Sequence, residues 1–182
     1  MAFRRRASAR AIARDDAELV NAARDGDRDA FGRLYDRFAP MVHGILMART
    51  PRGEVDDLAQ DVFLLALRRL HTLRDAGAFG PWLAAIARNR ATDYHRRAPE
   101  LTELPEGLTA NNPHEAEALA VLTAIRTLPD AYREPLTLRL VEGMTGPEIA
   151  ARTGLTPASV RVNLYRGLKQ LRERLGRGDD HE

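Results

Sequence analysis

In the run Asp56-Asp57-Leu58-Ala59-Gln60-Asp61 the carboxylates are so spaced that they could hold a divalent cation through oxygen ligands. Such chemistry needs a second ligand cluster on a facing helix and a deep apolar cavity around the substrate. No second metal-binding cluster of that kind is expected on a facing helix. The five histidines, His43, His71, His95, His114 and His181, have no close metal spacing. The absence of cysteine excludes disulfides, thiolate metal sites and thiol redox chemistry. No catalytic residue, metal or cofactor is expected, and the chain reads as a binding protein rather than an enzyme.

The second chemistry-bearing pattern is cationic. From Pro157 to Arg177 there are six basic residues against one acid, Glu173. At about 100° per residue, Val160, Leu164, Leu168, Leu171 and Leu175 share one face of a helix, and Ala158, Arg161, Val162, Tyr165, Lys169 and Arg172 share the other. Just upstream, Thr145 with Glu148 three residues on forms a capping box, with Pro147 inside the same start. Thr156-Pro157 repeats the cap-then-proline signal, and Gly154 between the two can take the positive φ of a sharp turn. Two capped helices around a glycine turn predict a helix-turn-helix, whose basic second helix suits major-groove insertion. The alternative is a basic, solvated surface helix of a bundle.

The rest of the chain must position these groups. Its 182 residues allow one ordinary domain or two small ones, and 44% hydrophobic residues suffice for a core. No apolar run approaches the roughly 20 residues of a membrane span, and the arginine-rich start lacks the apolar segment of a secretory signal. A cytoplasmic protein without membrane insertion is expected. The net charge of +2 conceals local blocks. Residues 1–14 hold five arginines and no acid, and read as a disordered basic arm.

Periodicity then predicts an all-α chain. A first helix spans about Asp16 to Arg24, and a second is capped near Asp29 with Phe31, Leu34, Tyr35, Phe38, Met41, Val42, Ile45 and Leu46 inward. The third starts in the acid cluster, with Leu58, Val62, Leu65 and Ala66 inward. Acids there suit the positive end of the helix dipole, but Asp57, Gln60 and Asp61 also lie together on one exposed face that would suit a basic partner. Arg74 to Ala78 reads as a loop, and Gly80-Pro81 opens a fourth helix with Trp82, Leu83, Ile86 and Ala87 inward. That helix finishes with four arginines, Arg88, Arg90, Arg96 and Arg97, among Asn89, Tyr94 and His95, a mixture that suits unstacked bases and backbone or merely complements the dipole.

Residues 98–113 contain three glutamates, Leu-Pro-Glu-Gly and Asn-Asn-Pro without periodicity, and read as a flexible linker between residues 15–97 and 114–176. Beyond it, Ala116, Leu119, Ala120, Leu122 and Ile125 form one helix, and Pro129-Asp130 starts another through Val141, with Pro135 expected to delay or kink it. Gly143 ends that helix before the helix-turn-helix, and residues 177–182 read as a disordered tail.

Taken together, Asp57-Leu58-Ala59-Gln60-Asp61-Val62-Phe63 and Phe79-Gly80-Pro81-Trp82-Leu83 through Tyr94 resemble the second conserved region of extracytoplasmic-function (ECF) sigma factors. Leu128-Pro129, Tyr132-Arg133-Glu134, Gly143, Glu148-Ile149-Ala150 and Val160-Arg161 resemble the fourth. The resemblance covers about Ala17 to Leu175 and implies two small helical domains that bind core RNA polymerase and promoter DNA together, usually controlled by an anti-sigma factor. It places Asp57, Gln60 and Asp61 against the polymerase. It places the loop Leu73, Arg74, Asp75, Ala76, Gly77 and Ala78 on a flipped base of the −10 element, with Arg88, Asn89, Asp93, Arg96 and Arg97 supporting strand opening. It places Ala158, Ser159, Arg161, Val162, Tyr165, Arg166 and Lys169 on the −35 element.

The pattern is incomplete. Gly80 and Ala78 stand where members often carry arginine or serine, and Asn163 and Gly167 where they often carry arginine and alanine. Glycine within a long helix costs about 1 kcal/mol relative to alanine. No further domain is expected after the fourth region, and sensing is expected in a partner. A stand-alone helix-turn-helix regulator is the competing reading, but it has no use for the acidic face or the Trp82 to Arg97 helix. The acid run also superficially resembles the magnesium motif of all-helical prenyl-diphosphate enzymes, without the second cluster they need.

Overall fold

The computed structural model describes residues 15–97 and 113–176, which form eight α-helices and no strand among the described residues. The arm over residues 1–14, residues 98–112 of the expected linker, and the tail over 177–182 lie outside them.

Helix α1 covers residues 15–24 and buries Leu19, Val20 and Ala23. Asp15 and Asp16 both pair with Arg37 of the next helix, and these carboxylates hold the Arg37 guanidinium more firmly charged. Gly26, at φ 97°, turns the chain into α2, Arg28–Met47. The cap of α2 is Asp27 rather than Asp29, because the Asp27 carboxylate reaches the amides of Asp29 and Ala30 at 2.9 and 3.0 Å. Leu34, Phe38, Met41, Val42, Ile45 and Leu46 are buried as the periodicity predicts. Tyr35 is 42% exposed, its ring resting on Phe63 at 4.5 Å between centroids.

A 3₁₀ turn, Arg52–Glu54, leads into α3, Val55–Arg69. A second, Leu70–Thr72, ends it. The expected loop contains a third, Ala76–Ala78, closed by the Asp75 carboxylate on the Gly77 amide at 2.9 Å. Helix α4, Phe79–Arg97, therefore begins one residue ahead of the expected Gly80-Pro81 start. Gly80 and Pro81 fall in its first turn, where a missing amide hydrogen costs nothing.

The second half comprises α5 (Pro113–Arg126), α6 (Asp130–Leu140), α7 (Gly146–Thr153) and α8 (Pro157–Gly176). Helix α6 starts at Asp130 despite Pro135, so the proline does not delay it. Two apolar clusters hold the fold. The smaller joins Ile125 and Leu128 to Leu136 and Leu171. The larger runs through α1–α4 and also takes in Leu138, Met144, Ile149, Ala150 and Val160, so the two halves share one core in this arrangement.

Candidate nucleic-acid interface

The helix-turn-helix closes as its punctuation predicts. The Thr145 amide donates to Glu148 Oε2 at 2.8 Å, and the Glu148 amide returns a longer bond to Thr145 Oγ1 at 3.4 Å. The Thr145 amide first, and the Thr145 hydroxyl donating to the same Oε2 at 2.7 Å second, hold the Glu148 carboxyl below its ordinary pKa. Gly154 ends α7 at φ 78°, and the Ser159 amide bonds Thr156 Oγ1 at 3.1 Å to start α8. Two fixed ends set the angle between the helices. Val160 and Leu171 are buried and Leu164 and Leu168 half-buried, but Leu175, predicted inward, is 37% exposed because it lies beyond the cluster that Leu171 joins.

The opposite face is free. Ala158, Arg161, Val162, Tyr165, Arg166 and Lys169 are exposed, Tyr165 by 73%, and Arg161, Arg166 and Lys169 have no ion-pair partner among the described residues. Ser159 is exposed too, although its hydroxyl is engaged with that of Thr156 at 2.8 Å. Unpaired cations around a protruding aromatic ring are the arrangement phosphates and base edges require. Gly167 is explained by its surroundings: a Cβ there would meet Leu136 Cδ1 at 2.9 Å and Tyr132 Cβ at 3.0 Å, so the glycine lets α8 lie close on α6.

The residues expected around the −10 element divide. Asn89, Arg96 and Arg97 are exposed. With half-buried Asp93, which Arg96 bonds at 2.9 Å, Asn89 and Arg97 line an open groove of about 500 Å³ whose other walls are Leu65, Arg69, Ile86, Arg90 and Thr92. Arg69, in the last turn of α3, was not singled out by the sequence. Arg88 is turned away from this groove and is bonded to Glu134 and to the Thr153 carbonyl. His95 is likewise engaged, its Nε2 against the Arg49 carbonyl. In the loop, Arg74, Asp75 and Gly77 are exposed and Ala76 and Ala78 half-buried, but Leu73 is only 7% exposed and belongs to the core, with its carbonyl bonded by Arg24. Its side chain cannot meet a base in this arrangement.

On α3, Asp57, Gln60 and Asp61 lie exposed together as predicted. Asp61 is paired with Arg90 of α4. The sequence reading missed Leu64 and Leu67, each 47% exposed, which extend this face by one turn. A large exposed apolar side chain beside acids marks a protein-binding surface better than acids alone.

Among the described residues no group of three or more acidic or histidine side chains could hold a metal ion, and no helix is long and apolar enough to cross a membrane.

Comparison with known proteins covers both halves. Residues 34–99 match the family model of Sigma-70 region 2, and residues 118–171 that of Sigma-70, region 4. The chain is 35% identical over 162 residues to the RNA polymerase sigma factor CarQ of Myxococcus xanthus, covering 84% of this chain and 93% of that one. It is 30% identical over 171 residues to the ECF RNA polymerase sigma-E factor of Escherichia coli K12, covering 83% and 89%. It is 35% identical over 167 residues to the ECF RNA polymerase sigma factor BldN of Streptomyces coelicolor, of whose length it spans 63%. Among solved structures, CnrH in complex with the cytosolic domain of CnrY matches with a TM-score of 0.65 at 27% identity, over 89% of this chain and 97% of that one.

Proposed function

The chain belongs to the ECF family of RNA polymerase sigma factors, and on that footing we propose that it is a dissociable initiation factor that brings core RNA polymerase to specific promoters and stabilises melted DNA there. The observation that carries this reading is the separation of surfaces: an exposed acidic and apolar face on α3, and an unpaired cationic face on α8 at the far end of the chain.

In this reading Asp57, Gln60 and Asp61, extended by Leu64, face the polymerase. Arg74 to Ala78, Asn89, Asp93, Arg96 and Arg97 take the −10 strand, where exposed cations and the groove suit unstacked bases. Arg161, Val162, Tyr165 and Arg166 read the −35 duplex, with Lys169 on the phosphates and Ala158 and Ser159 at the helix start. Melting consumes no nucleotide; binding unstacked bases lowers the free energy of the open state. The protein acts in the cytoplasm and catalyses no reaction itself. Residues 15–97 and 114–176 act as two domains on the stretch 98–113, so two weak contacts gain from effective concentration. Control by an anti-sigma partner is supported by the family and by CnrH, which was solved with the cytosolic domain of CnrY.

The test is co-elution of purified protein with bacterial core polymerase, followed by run-off transcription from genomic fragments. A stable complex that starts transcripts at discrete sites is expected. Duplex binding without any polymerase complex would instead support a stand-alone regulator.

A further inference from the structure

We propose that Arg69, at the end of α3, anchors the melted strand: it holds a phosphate in the groove between α3 and α4, from the wall opposite the α4 cations. The inference rests on the sigma-factor reading above and adds a residue of the polymerase-facing helix to its DNA site.

The groove has an apolar floor and a polar rim. Ile86 is 8% exposed and Leu65 half-buried, and the Asn89 amide and Arg97 guanidinium stand exposed beside them. Apolar side chains in an open groove accept the faces of unstacked bases, so the sugar-phosphate backbone must run along the rim. Helices α3 and α4 line the groove in opposite directions. Leu58 and Asp61 stand with Tyr94 and Arg90, and Leu65 and Arg69 stand with Ile86 and Asn89. From Ile86 to Arg97 the α4 wall is about 16 Å long at about 1.5 Å per residue, several times the roughly 3.4 Å between phosphates of a stacked strand. More than one phosphate therefore lies along it, and a single cation cannot serve them all.

Most arginines near this groove are already committed. Arg88 is turned away onto Glu134, and Arg96 is paired with Asp93. Arg90 is paired with Asp61, and its Nε is buried without a partner, out of reach of a strand. Arg97 is left near one end. Arg69 is exposed and its guanidinium has neither an ion pair nor a hydrogen bond among the described residues. It is the uncommitted cation at the end nearest the loop Arg74 to Ala78, where a strand leaving that loop enters the groove. A free guanidinium there offers a phosphate paired donors.

Position also separates Arg69 from the polymerase face. At about 100° per residue it lies about 140° around α3 from Leu64 and about 120° from Asp57, whereas Arg68 lies only about 40° from Leu64. The two neighbouring arginines thus face different partners.

The test uses the full chain with core polymerase and a labelled promoter fragment, found by the run-off experiment, whose −10 segment is single-stranded. Arg69→Ala should weaken binding of this fragment about fivefold and reduce the slope of log K against log salt by about 0.7, the share of one single-stranded phosphate. The loss should be equal for fragments that differ in their −10 bases, and Arg69→Lys should keep most of the affinity, because a phosphate contact carries no sequence information. Arg68→Ala removes the same charge from the other side of the exposed helix and should leave the slope unchanged. Polymerase co-elution and melting temperature of Arg69→Ala should match the parent chain. An unchanged slope in Arg69→Ala, an equal drop in Arg68→Ala, a loss confined to particular −10 bases, or a parallel loss of polymerase binding would each overturn the assignment. If the parent chain forms no polymerase complex, the sigma reading has failed; single-stranded DNA titrated into the free chain then decides the role of Arg69 by the same slope.

Discussion

Arg88 and Glu134, 46 residues apart in sequence, meet as a two-pronged ion pair between α4 and α6, with Arg49 as a third member. Glu134 is buried while both arginines keep about a quarter of their side chains exposed, at 28% each. Removing the carboxylate leaves two cations facing one another with little water. Glu134→Ala should lower stability by about 3 kcal/mol, the low end of the cost of breaking a buried pair. Urea unfolding checks this, and a loss under about 1 kcal/mol would assign the pair the weight of a surface bridge.

Gly167→Ala carries a prediction whose sign the structure reverses. Helix propensity alone favours alanine by about 1 kcal/mol. The new methyl would press on Leu136 and Tyr132 at 2.9 and 3.0 Å, and overpacking of this kind costs about 1–3 kcal/mol. A net loss near 1 kcal/mol is expected in thermal melts; a gain would mean that Leu136 yields freely.

The start of α7 predicts a pH dependence. Thr145→Ala removes the cap and should cost about 1 kcal/mol. Glu148 has a folded pKa below its ordinary value of 4.5, so its contribution is complete above that value and is lost as pH falls through the folded one. The stability difference between the parent chain and Glu148→Gln should therefore shrink on acidification below about pH 4.5. A difference that stays constant down to pH 3 would contradict the capping role.

Arg161→Ala should weaken promoter binding by about 5- to 150-fold, the 1–3 kcal/mol of one base-reading pair, while leaving polymerase co-elution unchanged. Arg161 is exposed and unpaired, so its loss disturbs no packing. Equal loss of both activities would contradict the division between α8 and α3.

For the polymerase face, Asp57→Lys is the sharper substitution. Reversal at Asp61 also sets a cation against Arg90, its partner within the fold, and mixes a folding effect into the result. Asp57 has no such partner among the described residues. About tenfold weaker polymerase binding at unchanged melting temperature is expected, in line with loss of a charge pair at an interface. Unchanged affinity would remove Asp57 from that surface.

Local structure was legible in the residues themselves, because it depends on neighbours within one or two turns. The capping box at Thr145 and Glu148, the turn at Gly154, the start at Thr156 and the two faces of α8 all follow from spacing, and so do the buried stripe of α2 and the exposed Asp57, Gln60 and Asp61. Family membership was legible for the same reason, since it is carried by ordered short motifs. Tertiary structure decided what no period encodes. Leu73 entered the core, Arg88 was bonded to Glu134, Asp61 to Arg90, and Gly44, Gly80 and Gly167 became points of close approach rather than weak spots in helices. Each of these outcomes is fixed by a partner at least 20 residues away, and side-chain length and backbone proximity in three dimensions, not the order of residues along a helix, determine which groups remain free to meet another molecule.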